Sequence, residues 1–581
     1  MSSDISTRSV VFLVGLTVLF GCAGGGPDEP VDLVVRGGKV LDGTGSAAIR
    51  ADVAVHDGRI VEIGPRLDLP ALREIDADGL LVVPGIVDMH SHADLIVLAE
   101  PETQRRLLGN KLLQGVTTLV VGNCGLGVAP TTSEAAEILA AVNGWMTPDG
   151  VIAGPLSVGD YLRRLESTGV VMNLATLVPH GPVRISAMGL AAGEPSPEQS
   201  ESMRAAVAQG LSEGAYGLST GLIYPPGMYS ATDELADLAS EVARRDRLFT
   251  SHVRGSSETL VPATLELIEI GRSSGARVHH SHLEAVGERF WPDVSRVLAL
   301  EDDARDEGIR ISHDVFPYTR AATMMSAIFP PWSLEGGLPG LLERLRDPTD
   351  RARIRKEIEH RVPAWPPWEP GGWPHNLVGA VGWDGIVVAS VRPGGPGGLV
   401  GRDLASIAEA SSRDAFDIVA DLMLSEEGQV GQQVDEISGG PGQMEALHSI
   451  LRHPAAAVVS DAEDYGRGVP HPAHAGAFAR AFRLAREDGV LSIEEAVRRM
   501  TSRPASLVGL RDRGVIREGA WADLVVLDPD RVADRATWDD PRRPAEGIRW
   551  VVINGETVVD DGTPVAGATA GRVLRASDTE P

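Results

Sequence analysis

The chain has 581 residues, a formal net charge of −28 (81 acidic against 53 basic side chains), 43% hydrophobic residues and two cysteines, Cys22 and Cys124. That hydrophobic content excludes wholesale disorder, and two cysteines exclude a disulfide scaffold or zinc-ribbon spacing. The acidic balance argues against nucleic acid as a partner, because phosphate contacts need a basic stripe.

Val10 to Phe20 is a mostly apolar run that ends in Gly21-Cys22. It is too short for a membrane-spanning helix but suits the apolar region of an export signal. Leu19-Phe20-Gly21-Cys22 resembles a bacterial lipobox, so residues 1–21 read as a lipoprotein signal peptide and Cys22 as the lipidated residue. Residues 22–31 follow as a Gly-rich flexible tether. The expectation is a bacterial envelope protein anchored to a membrane through Cys22. From residue 32 to about 83, apolar and polar residues alternate, with Gly37-Gly38 and Asp57-Gly58 as tight-hairpin signals. The style returns near the other end in ADLVVLD (522–528) and in WVVINGETVVD, with Asn554-Gly555 at its turn. The two pieces, 32–83 and 508–560, are predicted to join as one small β-sandwich, with 561–581 as a C-terminal tail.

Between them, apolar runs alternate with helical patterns, the signature of βαβ units around a parallel sheet. The runs are LLVVPGIVDMH (80–90), GVTTLVVGNC (115–124), VVMNLATLVPH (170–180) and GAYGLSTGLIY (214–224). They continue with RLFTSH (247–252), ARVHHSH (276–282), IRISHDVFPY (309–318) and AAAVVSD (455–461). Eight such strands predict an α/β fold, a (β/α)8 TIM-like barrel over 84–507. The long step between the last two strands contains VPAWPPWEPGGWPHN (362–376), so about 320–445 reads as an insertion forming a lid or small subdomain.

Barrel strands present their C-terminal ends to the active-site face. In order those ends carry His90 and His92, Cys124, His180, Tyr224, His252, His282, His313 with Asp314, and Asp461. A lone histidine is usually packing, whereas a rim of metal-capable and acid/base residues points to a metal site. His90 and His92, two apart on one strand, face the same side and suit chelation of one ion. Taken singly, each residue has a structural alternative: Cys124 as a small buried hydrophobe, His252 or His282 as core histidines, Asp461 as a helix N-cap.

The motifs VVPGIVDMHSHADL (82–95), GVTTLVVGNCGLGVAP (115–130), GLSTGLIYPPGMYS (217–230), SHVRG (251–255), SHLEAVG (281–287), DVFPYT (314–319), VVSDAEDYG (458–466), HPAHAGAFAR (471–480) and RPASLVGLRDRGVIREGAWADLVVLDPD (503–530) together resemble the amidohydrolase superfamily. Within it, they resemble the D-aminoacylase (N-acyl-D-amino-acid deacylase) family, over about residues 32–560. The resemblance implies a zinc ion held tightly by Cys124, His252 and His282, and a second, weaker metal position at His90, His92 and Asp461. Asp461 is the implied general base. None of the three lysines (Lys39, Lys111, Lys356) lies at a rim strand end, which agrees with cysteine rather than carboxylated lysine in the site. The implied reaction is metal-assisted hydrolysis of a linear amide in a small N-acyl amino acid.

Tyr224 and Tyr318 match family pocket tyrosines, and His180 is either a substrate contact or a structural hydrogen-bonder. Two positions depart from the family pattern: Glu284 stands where a substrate-binding lysine is normal, and Ala473 where an arginine is normal. Arg184, Arg254, Arg320 and Arg467 are candidates to replace that charge. Glu284 keeps open a dipeptidase or cyclic-amide hydrolase with the same metal site. A non-catalytic envelope lipoprotein is the alternative of another class.

Overall fold

A computed structural model describes residues 30–366 and 372–577. The expected export signal, Cys22 and residues 22–29 of the expected tether lie outside the described residues.

The barrel consists of the strands Ile86–Asp88, Val116–Val121, Asn173–Thr176 continued by Val178–Pro179, Gly217–Gly221, Leu248–His252, Arg277–His280, Ile311–Val315 and Ala456–Val458. Each pairs in parallel with the next. The eighth closes on the first through a hydrogen bond from the Asp461 N–H to the His90 carbonyl at 3.2 Å. Asp88 reinforces the seam by accepting from the Ser460 hydroxyl at 2.6 Å and from Lys111 Nζ at 2.7 Å. Helices cover the outer face, so strands such as Val116–Val121 and Gly217–Gly221 are buried along their whole length. Capping boxes start two of these helices, Ser157 with Asp160 and Ser196 with Gln199.

Strands from both chain ends form one nine-stranded sheet, joined where Leu81–Pro84 pairs antiparallel with Leu524–Leu527. Period-two alternation gives that sheet two apolar faces. Leu524, Val526 and Val552 pack with Leu33, Val35 and Val53 in a core of their own. Val525, Leu527, Val551 and Ile553 turn into the main core beside the barrel. Asp57-Gly58 and Asn554-Gly555 form hairpin turns with φ of 49°, 74°, 51° and 85°. Gly37-Gly38 is not a hairpin: strand Val31–Val40 runs through it as a bulge, with the Gly37 N–H donating to Asp52 at 2.7 Å. The segment expected to be a tail returns to the barrel, where the Leu574 N–H donates to the Leu174 carbonyl at 2.7 Å.

Between the seventh and eighth barrel strands the chain makes an antiparallel sheet of Ala321–Met324, Gly431–Val434 and Ile386–Ser390. Helices Gly337–Arg346, Pro348–His360, Leu404–Ser411 and Ala415–Ser425 surround it. Residues of all three strands line the cavity at the C-terminal mouth of the barrel, so this inserted unit forms its roof.

Candidate metal centre

The cavity under that roof has a volume of about 100 Å³ and is lined by His92, Cys124, His252, His282 and Asp461 together with Tyr224 and Glu284. His252 ends the fifth barrel strand, while the others follow the ends of the first, second, sixth and eighth. Three of them hold left-handed backbone that L-residues avoid: Cys124 at φ 52°, His282 at 35° and Asp461 at 46°. Such conformations cost about 1–3 kcal/mol each and persist only where the surroundings determine them. Here the surroundings do so. The His282 N–H donates to Asp314 Oδ1 at 2.5 Å, and the Asp461 N–H donates to the His90 carbonyl. After Cys124, the Gly125 N–H donates to Ser219 Oγ at 3.0 Å. The loop then lies so close to the fourth strand that a Cβ on Gly221 would sit 1.9 Å from the Cys124 carbonyl oxygen.

The side chains converge. His90 Nε2 lies 3.2 Å from Cys124 Sγ and 3.5 Å from Asp461 Oδ1, and His92 Nε2 lies 3.4 Å from the same Oδ1. His282 Nε2 is 3.5 Å from Cys124 Sγ, and the His252 and His282 ring centroids are 4.3 Å apart. Behind His90, Asp314 Oδ2 lies 3.2 Å from Nδ1 and also 2.9 Å from His279 Nε2, which fixes the ring's orientation.

The charges are mutually dependent. Burial opposes ionisation of the Cys124 thiol, but the His90 and His282 charges and the hydrogen bond from His282 hold it well below its ordinary range. Burial likewise opposes charging of His92, yet Asp461 and Cys124 lift it to about 10. Burial and the His282 charge push His252 down to about 4, so it is a neutral imidazole. Asp461 stays below the usual carboxylate range because His90, His92 and His282 outweigh its burial.

These residues fit a metal ion. Ligand atoms of Cys124, His252 and His282 lie within 4.8 Å of one another, as do those of His90, His92 and Cys124, and those of His90, His282 and Asp461. Both ring nitrogens of His252 are buried without a hydrogen-bond partner, a costly state that coordination would relieve. A thiolate among imidazoles is a donor set suited to zinc.

The other residues singled out in the sequence divide. Tyr224 lines the cavity and shares a 2.7 Å hydrogen bond with Thr323 of the roof. Glu284 lines it too, 3.3 Å from Ser256 Oγ. His180 does not: it opens helix His180–Met188, and its Nε2 lies 3.1 Å from Glu234, which also binds Arg184. Tyr318 is buried against His471, with ring centroids 5.1 Å apart, and Arg480 stacks over it, away from the lining. Arg254 pairs with Glu266 and Arg320 with Asp435, which leaves Arg467 as the cavity-lining member of the four arginines. Ala473 is buried at the start of a helix. His375 had drawn no attention in the sequence. It descends from the roof, and both its ring nitrogens are buried without partners. Burial and the His252 charge hold it near 3.

The amidohydrolase family model matches residues 73–259 and 383–559. An N-acyl-D-glutamate deacylase of Alcaligenes xylosoxydans xylosoxydans is 33% identical over 550 residues, covering 94% of this chain and 97% of that protein. The crystal structure of N-acyl-D-glutamate deacylase from Bordetella bronchiseptica, complexed with zinc and a phosphonate mimic of the tetrahedral intermediate, has a TM-score of 0.77. It is 32% identical and covers 94% of this chain and 100% of its own. A D-aminoacylase with a binuclear metal centre, in which one metal activates and a second attenuates, has a TM-score of 0.76 at 28% identity and the same coverage. With ligand residues converging at the mouth of a barrel, and a matching relative along nearly its whole length, the chain belongs to the amidohydrolase family and, within it, to the D-aminoacylase (N-acyl-D-amino-acid deacylase) group.

Proposed function

We propose that the protein hydrolyses the linear amide bond of N-acyl-D-amino acids, releasing the carboxylic acid and the free amino acid. The observation that carries this reading is the convergence of Cys124, His252 and His282 beside an ionised Asp461 under the three-stranded roof. Cys124, His252 and His282 would hold one zinc ion, and His90, His92 and Asp461 supply donors for a second position beside the same thiolate. When bound, such an ion polarises the scissile carbonyl and lowers the pKa of water for attack. Asp461 takes the proton of the attacking water on its carboxylate and delivers it to the amide nitrogen as the C–N bond breaks. Its depressed pKa keeps it in the accepting form at neutral pH. Asp314 holds the His90 ring in one orientation.

Metal analysis of purified protein, combined with a panel of N-acyl-D-, N-acyl-L- and carboxylate-free amides, tests the reading. Zinc bound with turnover of the D series is the expected result. Zinc bound with turnover confined to carboxylate-free amides would overturn the substrate class.

We further propose that the protein resides in the bacterial envelope through a lipid on Cys22, supported by the apolar run before Gly21-Cys22. Labelled palmitate incorporated by wild type and lost in Cys22→Ala is the expected outcome, and equal labelling of both would refute it.

A further inference from the structure

Two charged side chains in the cavity take no part in the hydrolytic steps above. Glu284, on the loop after the sixth barrel strand, is 8% exposed. Its Oε1 lies 3.3 Å from Ser256 Oγ and 3.9 Å from His282 Nδ1, and no lysine or arginine pairs with it among the described residues. Arg467 lines the same cavity. Its Nη2 donates to the carbonyls of Gly144, at 2.9 Å, and Thr147, which pins the guanidinium in place. Its Nε is buried without a partner, and Asp149 acts on it only from beyond ion-pair distance.

A buried carboxylate without a cation is costly, and the half-buried Arg467 guanidinium has an unpartnered Nε and no anion paired with it among the described residues. Both line one cavity of about 100 Å³, so a small ligand carrying both signs relieves both at once. We propose that Glu284 and Arg467 form a two-charge subsite selecting N-acyl amino acids with a cationic side chain, with the α-carboxylate at Arg467 and the side-chain ammonium or guanidinium at Glu284. The assignment rests on the amide-hydrolase reading, because an N-acyl amino acid of this kind supplies an anion and a cation on the departing amine. An acidic side chain would meet Glu284 as a like charge, and a neutral one would leave it unpaired, so the subsite discriminates by repulsion as well as attraction.

Zinc-loaded protein is titrated calorimetrically with N-acetyl-D-lysine, N-acetyl-D-leucine and N-acetyl-D-glutamate, and kcat/KM is measured for each. Charged hydrogen bonds of this kind predict at least about a tenfold preference for lysine over leucine in both affinity and kcat/KM, with glutamate last. Glu284→Gln should bring lysine down to the level of leucine, and Glu284→Lys should move glutamate ahead of lysine. Arg467→Met should weaken all three about tenfold while sparing N-acetylbutylamine, which has no carboxylate. Equal wild-type affinity for the three compounds, or a lysine preference that survives Glu284→Gln, would overturn the subsite. Because binding and turnover are read separately, the two readings fail differently. Lysine-selective binding without turnover of any amide keeps the subsite and removes the amide-hydrolase reading. Turnover without charge preference does the reverse.

Discussion

Replacing Asp461 by asparagine separates proton transfer from metal binding. The asparagine side chain is isosteric and retains one carbonyl oxygen, but it can neither carry the charge nor accept a proton. In the native site Oδ1 lies 3.5 Å from His90 Nε2 and 3.4 Å from His92 Nε2, and three imidazoles keep the carboxylate ionised. Glu284, a second carboxylate of the cavity, titrates near 7 and stands on the Nδ1 side of His282, so it is a poor substitute at the same point. Loss of a positioned general base and acid lowers kcat by about 10²–10⁴-fold. KM should change little, because Asp461 acts on the proton rather than on the bound acyl amino acid. Zinc at Cys124, His252 and His282 should be retained, since none of those donors is touched. The assay is steady-state hydrolysis with metal content measured on the same samples, for an aliphatic amide and for a p-nitroanilide, whose less basic leaving group needs less proton transfer to depart. The loss should be smaller for the anilide. A kcat within tenfold of wild type at unchanged zinc content would refute the general-base role. Activity loss that simply tracks zinc loss would make Asp461 a ligand and nothing more.

Three further substitutions probe the scaffold. Gly221→Ala places a methyl 1.9 Å from the Cys124 carbonyl oxygen, backbone that cannot swing aside, so we expect about 1–3 kcal/mol of destabilisation and weakened zinc binding, read by calorimetry and metal titration. Unchanged values for both would show that the Cys124 loop is free to move. Glu234 is held near 2 against an ordinary 4.5, because its hydrogen bond to His180 and the His180 and Arg184 charges outweigh burial. That gap corresponds to about 3 kcal/mol, present in full above pH 4.5 and lost as pH falls towards 2. Glu234→Gln should therefore be less stable than wild type at pH 7, with the two denaturation curves converging towards pH 2; a constant difference would contradict this. His375→Ala removes an imidazole that has no hydrogen-bond partner in the free protein, so folding stability should hold while KM rises about tenfold. An unchanged KM would remove His375 from substrate contact.

The candidate metal ligands are legible in the sequence for a geometric reason. Each follows an apolar run that can only be a buried parallel strand, and the fold sends every such end to one rim. His90 and His92 lie just beyond the first strand, and both rings turn to the same Asp461 oxygen, at 3.5 and 3.4 Å. Alternation along the strand separates His313 from Asp314: one turns to Glu301 on the covering helix at 2.7 Å, the other inward to His90. Strand-end position does not decide where a side chain goes once the chain has left the strand. His180 already belongs to a helix, and its ring closes on Glu234 of the neighbouring one. Tyr318 has turned under His471 and Trp538. His375 lies in an irregular Trp/Pro-rich stretch with no periodicity to read, and only the tertiary fold of the roof brings it over His252. Gly37-Gly38 carries the composition of a turn, but the pairing partners on both sides of Val31–Val40 keep the strand continuous.

Strained backbone at the candidate ligand positions is held from outside the ligand atoms. Cys124, His282 and Asp461 each sit at positive φ, and each is held by a hydrogen bond or glycine contact made by the backbone beside it rather than by the ligand atom. The ligand atoms are thus free to balance one another, with imidazolium at His92 and His282, titrating near 10 and 9, facing a thiolate and a carboxylate. That arrangement pairs the buried charges and keeps the His90 and His282 rings within reach of the thiolate. It also sets the terms for coordination, because a ring nitrogen must lose its proton before it can donate to a metal. His252, held near 4, is already deprotonated at neutral pH, whereas His282 and His92 are not. Coordination through His282 or His92 therefore releases that ring's proton.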